Sequence, residues 1–239
     1  MSRKAADHES GRRGRRTAVS KVSVDPIWSG DIWKKLDRPM QSDGLRLRFG
    51  YLDRPAQEAV LGALHDVIRR APVYTPRMPR TGKPMSVRMT NCGPLGWVTD
   101  ERGYRYQPLH PETGAPWPPI PGLLLEAWHE LAQYPHPPQS CLVNIYGPDA
   151  RMGLHQDRDE QDFAAPVLSI SLGGTGRNDP TRSLRLASGD ALVLAGDARL
   201  AFHGVDRIMP GTSTLLPEGG RINLTLRRVT KPQAGALAV

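Results

Sequence analysis

The chain of 239 residues is poor in cysteine and contains no long apolar segment. Its two cysteines, Cys92 and Cys141, are too few for a disulfide framework or a cysteine-based metal site, and they are typical of a reducing compartment. No apolar run approaches the roughly 20 residues that a membrane-spanning helix needs. The first residues also lack the apolar stretch of a secretory signal. We therefore expect a cytoplasmic protein that does not enter a membrane.

Acidic side chains are in deficit as well. The chain has 32 Lys and Arg against 24 Asp and Glu, which gives a net charge of +8. This excess favours an anionic partner, with nucleic acid ahead of an acidic membrane, although an arginine-rich soluble protein is the alternative. Residues 1–30 hold seven basic and three acidic side chains, and therefore half of the net charge. Residues 1–22 are predicted to be a disordered basic tail that either adds affinity for phosphates or has no role.

Two amphipathic helices are predicted in the first half of the chain. Asp53 is the expected N-cap of the first helix, with Pro55 in its first turn, and the apolar residues that follow recur at helical spacing. A second helix is expected over residues 122–134. Between the helices, residues 85–106 resemble a hairpin with its turn at residues 92–94.

Strand patterns dominate after residue 140. Short β-branched or alternating segments occur at residues 141–146, 166–172, 191–195 and 221–228. Helices followed by many short strands indicate the α+β class with a jelly-roll or β-sandwich catalytic half. The predicted organisation is a basic tail (1–22), an N-terminal extension with two helices (23–139), a jelly-roll core (140–230) and a C-terminal tail (231–239).

A candidate metal site is formed by His155, Asp157 and the distant His203. On an extended segment the side chains of residues i and i+2 point the same way, so His155 and Asp157 can bind one face of an ion. Two histidines and one carboxylate are the facial triad of non-heme Fe(II) oxygenases, which leaves other positions open. The His-x-Asp triplet alone also arises by chance, so its neighbours decide the interpretation.

Residues 221–227 alternate strictly between polar and apolar side chains. On a strand, Arg221 and Arg227 therefore share one face with Asn223. Paired arginines suit a dicarboxylate because the guanidinium donates two parallel hydrogen bonds, but the exposed face of an edge strand is the alternative. Asn144 and Tyr146 form a similar pair just before the candidate metal site, and both can bind a carboxylate.

Four segments, residues 85–97, 141–160, 177–180 and 221–227, strongly resemble those of the AlkB family of oxidative DNA and RNA demethylases. The resemblance covers roughly residues 45–230 and is close to the bacterial founding member. It implies a double-stranded β-helix (jelly-roll) core with N-terminal helices and a hairpin lid for nucleotide recognition. It also implies a monomeric Fe(II)- and 2-oxoglutarate-dependent dioxygenase that uses O₂. The expected reaction demethylates bases such as 1-methyladenine and 3-methylcytosine in single- or double-stranded DNA, with RNA as a further candidate, and repairs alkylation damage with release of formaldehyde.

The resemblance assigns roles to individual residues. Fe(II) would be bound by His155, Asp157 and His203. The 2-oxoglutarate would be bound by Asn144, Tyr146, Arg221, Asn223 and Arg227. Arg221 would pair with its distal carboxylate, and Arg227 would lie near its other end and neutralise Asp157. The substrate would contact Met89, Trp97, Tyr104, Asp159, Glu160 and Arg177. In this arrangement Trp97 and His203 sandwich the base, and Asp159 faces its exocyclic amine and positive charge.

The chain departs from the family pattern at two places. Only three residues separate Gly173 from Arg177, about eight fewer than in close relatives, so we expect the middle strand of the jelly roll to be missing or supplied from elsewhere. Leu194 stands where close relatives carry a Trp, which predicts a weaker apolar wall near the site. Two other functions therefore stay open: the same chemistry on a protein side chain or small molecule, and a nucleic-acid-binding module that has lost catalysis.

Overall fold

The computed structural model describes residues 44–177 and 184–233. The predicted tails lie mostly or wholly outside these ranges. The helices are α1 (Arg54–Arg70) and α2 (Gly122–Ala132), and a single 3₁₀ turn spans Gly196–Ala198. The strands are β1 (Leu45–Arg48), β2 (Val87–Cys92), β3 (Gly96–Asp100), β4 (Gly103–Gln107), β5 (Ser140–Tyr146), β6 (Met152–His155), β7 (Val167–Gly173), β8 (Thr175–Arg177), β9 (Arg185–Leu186), β10 (Ala191–Leu194), β11 (His203–Val205), β12 (Arg207–Met209) and β13 (Arg221–Arg227).

A six-stranded antiparallel sheet forms the centre of the fold, in the order β1-β10-β7-β13-β5-β2. β13 pairs along its whole length with β5 on one side and β7 on the other. The predicted alternation in β13 is confirmed, because Ile222, Leu224 and Leu226 pack into an apolar cluster with both helices. The polar residues of β13 consequently face the other side of the sheet. β1 and β2 precede residue 140 and belong to this same sheet.

Both predicted helices are present and cover the apolar face of the sheet. The carboxylate of Asp53 accepts a hydrogen bond from the backbone N–H of Ala56 at 2.9 Å, which satisfies one of the free donors at the start of α1. α2 ends at Ala132 because Gln133 adopts a left-handed conformation with φ of 54°. Neither helix, and no other helix in the described ranges, is long and apolar enough to cross a membrane.

Short strands pack against the polar face of the six-stranded sheet. They form a two-stranded sheet, β11-β6, and a three-stranded sheet, β12-β8-β9. Ile208 of β12 packs with Val87 and Tyr146 of the large sheet. Leu186 of β9 packs with a group of apolar residues that includes Leu194. The large sheet on one side and the two small sheets on the other enclose a common interior, which is the jelly roll that the sequence predicts. The functional side chains lie in that interior.

The hairpin is offset from its predicted position. β2 pairs with β5 in the large sheet, and β3 pairs instead with β4. Gly93, with φ of 116°, turns the chain out of the large sheet after β2. The side chain of Asn91 then bonds both the N–H and the carbonyl of Trp97 at 3.0 Å, which replaces the pairing expected between β2 and β3. The predicted lid therefore corresponds to the β3–β4 hairpin.

The expected loss of a jelly-roll strand is also corrected. Gly173 ends β7 with φ of 84°, a conformation that glycine adopts without strain. The chain turns there into β8, which pairs with both β12 and β9. The three residues of β8 are therefore sufficient to form the middle strand, between β12 and β9.

Cys92 and Cys141 lie opposite each other on β2 and β5, and both are free thiols.

Candidate metal and cosubstrate site

The three predicted metal ligands are brought together by β6 and β11. His155 ends β6, His203 begins β11, and the two are paired across the ribbon. The Nε2 atoms of His155 and His203 lie 3.8 and 3.6 Å from the two carboxylate oxygens of Asp157. One ligand atom from each residue lies within 4.8 Å of the others. This arrangement is compact enough for a single ion.

Both histidines present the same ring nitrogen to the site. Nδ1 of His155 lies 3.0 Å from the carbonyl of Gly153, and Nδ1 of His203 lies 3.0 Å from the carbonyl of Ala201. Each Nδ1–H donates to its carbonyl, which fixes the tautomer and leaves Nε2 free to bind a metal. Burial and the neighbouring His203 lower the pKa of His155, which favours the neutral, metal-binding form.

Asp157 divides its two carboxylate oxygens between two tasks. Oδ1 accepts a hydrogen bond from Nη2 of Arg227 at 2.7 Å, and Oδ2 is buried with no hydrogen-bond partner. Burial alone would raise the pKa of Asp157, but Arg227 and the two histidines hold it below its usual range. The carboxylate is therefore charged, oriented, and left with one free oxygen. An unpartnered buried oxygen beside two free Nε2 atoms fits a divalent ion.

Arg221 is a buried cation that forms no salt bridge within the described part of the chain, although the carboxylate of Asp190 acts on it from a greater distance. Its guanidinium donates to the carbonyls of Gly174 and Leu186 and to Oγ of Ser171, at 3.1, 2.9 and 2.5 Å. Its Nε has no partner, and burial lowers the pKa of Arg221 to about 10. A buried guanidinium that meets only neutral acceptors is suited to an incoming carboxylate.

The remaining predicted cosubstrate residues lie on the same face of the large sheet. Asn144 and Asn223 are direct cross-strand neighbours, and Oδ1 of Asn144 is buried without a partner. The amide of Asn223 contacts Oγ of Ser169 at 2.9 Å. Tyr146 is buried opposite Arg221, and its hydroxyl contacts the sulfur of Met152 at 3.7 Å. The structure therefore brings all five predicted residues to one polar surface.

The β3–β4 hairpin places an aromatic pair beside the loop that follows the triad. The rings of Trp97 and Tyr104 are stacked, with centroids 5.6 Å apart and planes inclined by 17°. The indole Nε1–H of Trp97 donates to Oδ2 of Asp159 at 2.8 Å. Tyr104 and Asp159 are both exposed, so this part of the site is open to solvent.

Glu160 occupies a closed position rather than an open edge. Its carboxylate accepts hydrogen bonds from the hydroxyl of Tyr106 and from Arg199, the latter at 3.0 Å. Nε of Arg227 lies 3.5 Å away. Glu160 is buried at the centre of a charged network, so both of its oxygens are engaged by the protein. It joins the lid to the metal site.

A further predicted substrate residue, Met89, does not lie on an open contact surface. Met89 is fully buried in a cluster with Tyr74, Val98 and Trp117 beneath the hairpin. Arg177 closes β8, where it is paired with β12 and β9. Leu194 is buried among the leucines of β1, β9 and β10, where it fills the interior of the jelly roll.

Sequence reasoning missed several residues that hold this site together. Tyr106 shares a face of β4 with Tyr104, and this i, i+2 spacing was a usable signal. Ser169 and Ser171 alternate along β7 in the same way and contact Asn223 and Arg221. Arg199 lies in an irregular turn after the 3₁₀ segment, and nothing in the local pattern marks it.

Jelly-roll sheets that enclose a His-Asp-His triad, next to a buried cation suited to a carboxylate, define the class of non-heme iron oxygenases that use an oxo-acid cosubstrate. Comparison with known proteins agrees. The model of the 2OG-Fe(II) oxygenase superfamily matches residues 44–227. An Alpha-ketoglutarate-dependent dioxygenase AlkB homolog of Caulobacter vibrioides is 59% identical over 187 residues, covering 75% of this chain and 84% of that protein. The Alpha-ketoglutarate-dependent dioxygenase AlkB of Escherichia coli is 39% identical over 194 residues, covering 74% and 87%.

A solved structure, titled "The structure of OsALKBH1", superposes with a TM-score of 0.66 at 30% identity and covers 79% of this chain and 98% of that one. The chain belongs to the AlkB family of 2OG-Fe(II) oxygenases. It is a dioxygenase that uses Fe(II), 2-oxoglutarate and O₂.

Proposed function

We propose that this enzyme removes methyl groups from N-alkylated bases in DNA, such as 1-methyladenine and 3-methylcytosine, and releases them as formaldehyde. One observation carries the proposal: the exposed carboxylate of Asp159 is hydrogen-bonded to the indole of Trp97, two residues after the metal ligand Asp157. Methylation at these ring nitrogens makes the base cationic. An aromatic face and a carboxylate next to the metal site match the shape and the charge of such a base.

His155, Asp157 and His203 bind the iron in this proposal, and the remaining polar face binds the cosubstrate. Arg221 pairs with the distal carboxylate of 2-oxoglutarate, because it is a buried cation that forms no salt bridge within the described part of the chain. Arg227 lies nearer the metal, where it already holds Asp157. Asn144, Tyr146 and Asn223 complete the pocket. Bound iron, 2-oxoglutarate and O₂ together supply the oxidation of the methyl C–H bond.

The protein's own contribution is to bind and orient the base. Trp97 provides a face on which a flipped-out or single-stranded base stacks, with the ring of His203 on the other side. Asp159 accepts from the exocyclic amine and stabilises the positive charge. Tyr104 and Arg177 contact the neighbouring nucleotides, and Met89 supports the lid from beneath. Glu160 acts through Tyr106 and the arginines rather than at the base edge.

The test is a demethylation assay with defined oligonucleotides. The protein is loaded anaerobically with Fe(II) and 2-oxoglutarate, then exposed to air with a single-stranded DNA that contains 1-methyladenine. Formaldehyde and restored adenine are expected in equal amounts, and Asp157→Ala is the inactive control. Succinate formation without any restored base, in DNA or in RNA of the same sequence, would assign the enzyme to a different substrate.

The alternative of a catalytically inactive binding module loses its structural basis, because β8 occupies the middle strand position and the triad is complete. Parallel assays with single-stranded DNA, duplex DNA and RNA rank the nucleic-acid substrates.

The monomeric state and the cytoplasmic location stay predictions from the sequence and the family resemblance.

A further inference from the structure

Arg199 is a fully buried arginine that contacts the segment following His155 at three points. Its Nη1–H donates to the backbone carbonyl of Asp157 at 2.6 Å, and its Nη2–H donates to Oε2 of Glu160 at 3.0 Å. Its Nε–H donates to the carbonyl of Ala165 at 2.9 Å. The side chain is only 2% exposed, so these bonds lie away from competing water. A planar guanidinium can reach all three acceptors at once, which a lysine ammonium cannot do with the same geometry.

The position of Arg199 in the chain makes these contacts relevant to the metal site. Arg199 lies four residues before His203, and its bonds end on both sides of Asp159 in the segment that begins at Asp157. A second bond joins the same two segments, because Nε2 of Gln156 donates to the carbonyl of Leu200 at 2.6 Å. Both hydrogen bonds therefore hold the backbone around the metal ligand Asp157 against the backbone that leads to the metal ligand His203.

We propose that Arg199 is a positioning residue that holds Asp157 and His203 at metal-binding distance without contacting the metal. The carboxylate of Asp157 is oriented from one side by Arg227, and its backbone is held from the other by Arg199. The same guanidinium holds Glu160, so it also fixes the loop that presents Asp159. The proposal rests on the iron site of the proposed function and is independent of which base is the substrate.

Substitution of Arg199 could also weaken metal binding through charge alone, because it leaves the buried carboxylate of Glu160 with one cation fewer beside it. The test therefore compares two proteins that both lack this carboxylate charge, Glu160→Gln and the double variant Arg199→Met/Glu160→Gln. Methionine fills a similar volume and keeps the packing against Phe163, whose ring centroid lies 5.5 Å from the guanidinium carbon. The difference between the two variants reports the loss of the guanidinium's hydrogen bonds, to the carbonyls of Asp157 and Ala165 and to the neutral amide at residue 160, with no buried carboxylate left unpaired.

The measurement is Mn(II) affinity, followed by the electron paramagnetic resonance of the free ion, together with the melting temperature of each metal-free protein. Loss of a residue that orients a metal ligand typically weakens metal binding by about 10- to 100-fold. We expect the double variant to bind Mn(II) at least about tenfold more weakly than Glu160→Gln. Equal affinities in the two variants would overturn the proposal.

A second variant covers the case in which the double variant does not fold. Arg199→Lys keeps the charge beside Glu160 but loses the planar fork, so we expect weaker Mn(II) binding in a protein that remains folded. Wild-type affinity in Arg199→Lys would contradict the positioning role. Arg69→Ala, at the exposed end of α1, is the control for removing an arginine.

Wild-type protein that binds Mn(II) but restores no base would refute the proposed substrate and leave the positioning role of Arg199 intact.

Discussion

Arg227 and Asp157 form a buried ion pair of 2.7 Å that uses only one of the two carboxylate oxygens. The other oxygen is buried without a hydrogen-bond partner and lies 3.6 Å from Nε2 of His203. Although burial opposes the charge of Arg227, the neighbouring Asp157, Tyr106 and Glu160 raise its pKa above the ordinary value. The pair thus keeps a charged carboxylate in place while one oxygen stays available for iron.

Replacing Asp157 removes both the ligand oxygen and the partner of Arg227. We expect Asp157→Ala to weaken divalent metal binding by about 100-fold or more, since even residues that only orient ligands contribute 10- to 100-fold. Iron-dependent turnover is lost, while binding of an oligonucleotide stays measurable by fluorescence anisotropy. Wild-type turnover in this variant would remove Asp157 from the set of metal ligands.

Replacing Arg221 tests the cosubstrate pocket. We expect Arg221→Met to raise the KM for 2-oxoglutarate by roughly 10- to 100-fold, because a hydrogen bond to a charged group contributes about 1.5–3 kcal/mol. The KM for the oligonucleotide should change little. Thermal shift provides a reading that does not need turnover: at a fixed Mn(II) concentration, added 2-oxoglutarate should raise the Tm of the wild type more than that of the variant. An unchanged dependence on 2-oxoglutarate would contradict the assignment.

Gly176 provides a milder perturbation of the same arginine. A Cβ atom at this position of β8 would lie 3.0 Å from Cζ of Arg221, closer than an ordinary contact. Gly176→Ala should displace the guanidinium and raise the KM for 2-oxoglutarate severalfold, with the metal affinity preserved. Gly62→Ala is the matched control, because its Cβ meets nothing within 4 Å. In the interior of α1 it should stabilise the protein by about 0.5–1 kcal/mol and leave kinetics unchanged.

Strong local patterns made much of the site predictable from the sequence. The seven-residue alternation of β13 fixed which side chains share a face, and the His-x-Asp spacing placed two ligands together. Asp53 identified the start of α1 through the chemistry of its cap. In each case the interaction is encoded within a few residues, so the pattern is visible without the fold.

Long-range contacts were not predictable in this way. The acceptors of Arg199 lie 34 to 42 residues away in the sequence. Two of them are backbone carbonyls, which every residue type has, so the sequence carries no signal for these bonds. β8 has three residues and β9 has two, too few for an alternation to be recognised. The family resemblance predicted that Glu160 contacts the substrate, yet Tyr106 and Arg199 approach it from distant segments and enclose it.

Asp159 is expected to select for positive charge on the base. Asp159→Asn keeps the size of the side chain and removes the charge, so the kcat/KM for cationic 1-methyladenine should fall about tenfold, since hydrogen bonds to charged groups are about twice as strong as neutral ones. The kcat/KM for neutral 1-methylguanine should change much less. The measurement is competition between the two bases in otherwise identical single-stranded oligonucleotides, with restored bases counted by mass spectrometry.

Trp97→Phe separates the orientation of Asp159 from stacking on the base. Phenylalanine keeps an aromatic face but lacks the N–H that bonds Asp159 at 2.8 Å. We expect this variant to lose part of the charge selectivity, as Asp159→Asn does, while Trp97→Ala loses activity on both bases because the stacking surface is gone. If Asp159→Asn lowers activity on both bases equally, the carboxylate does not select for the positive charge of the base.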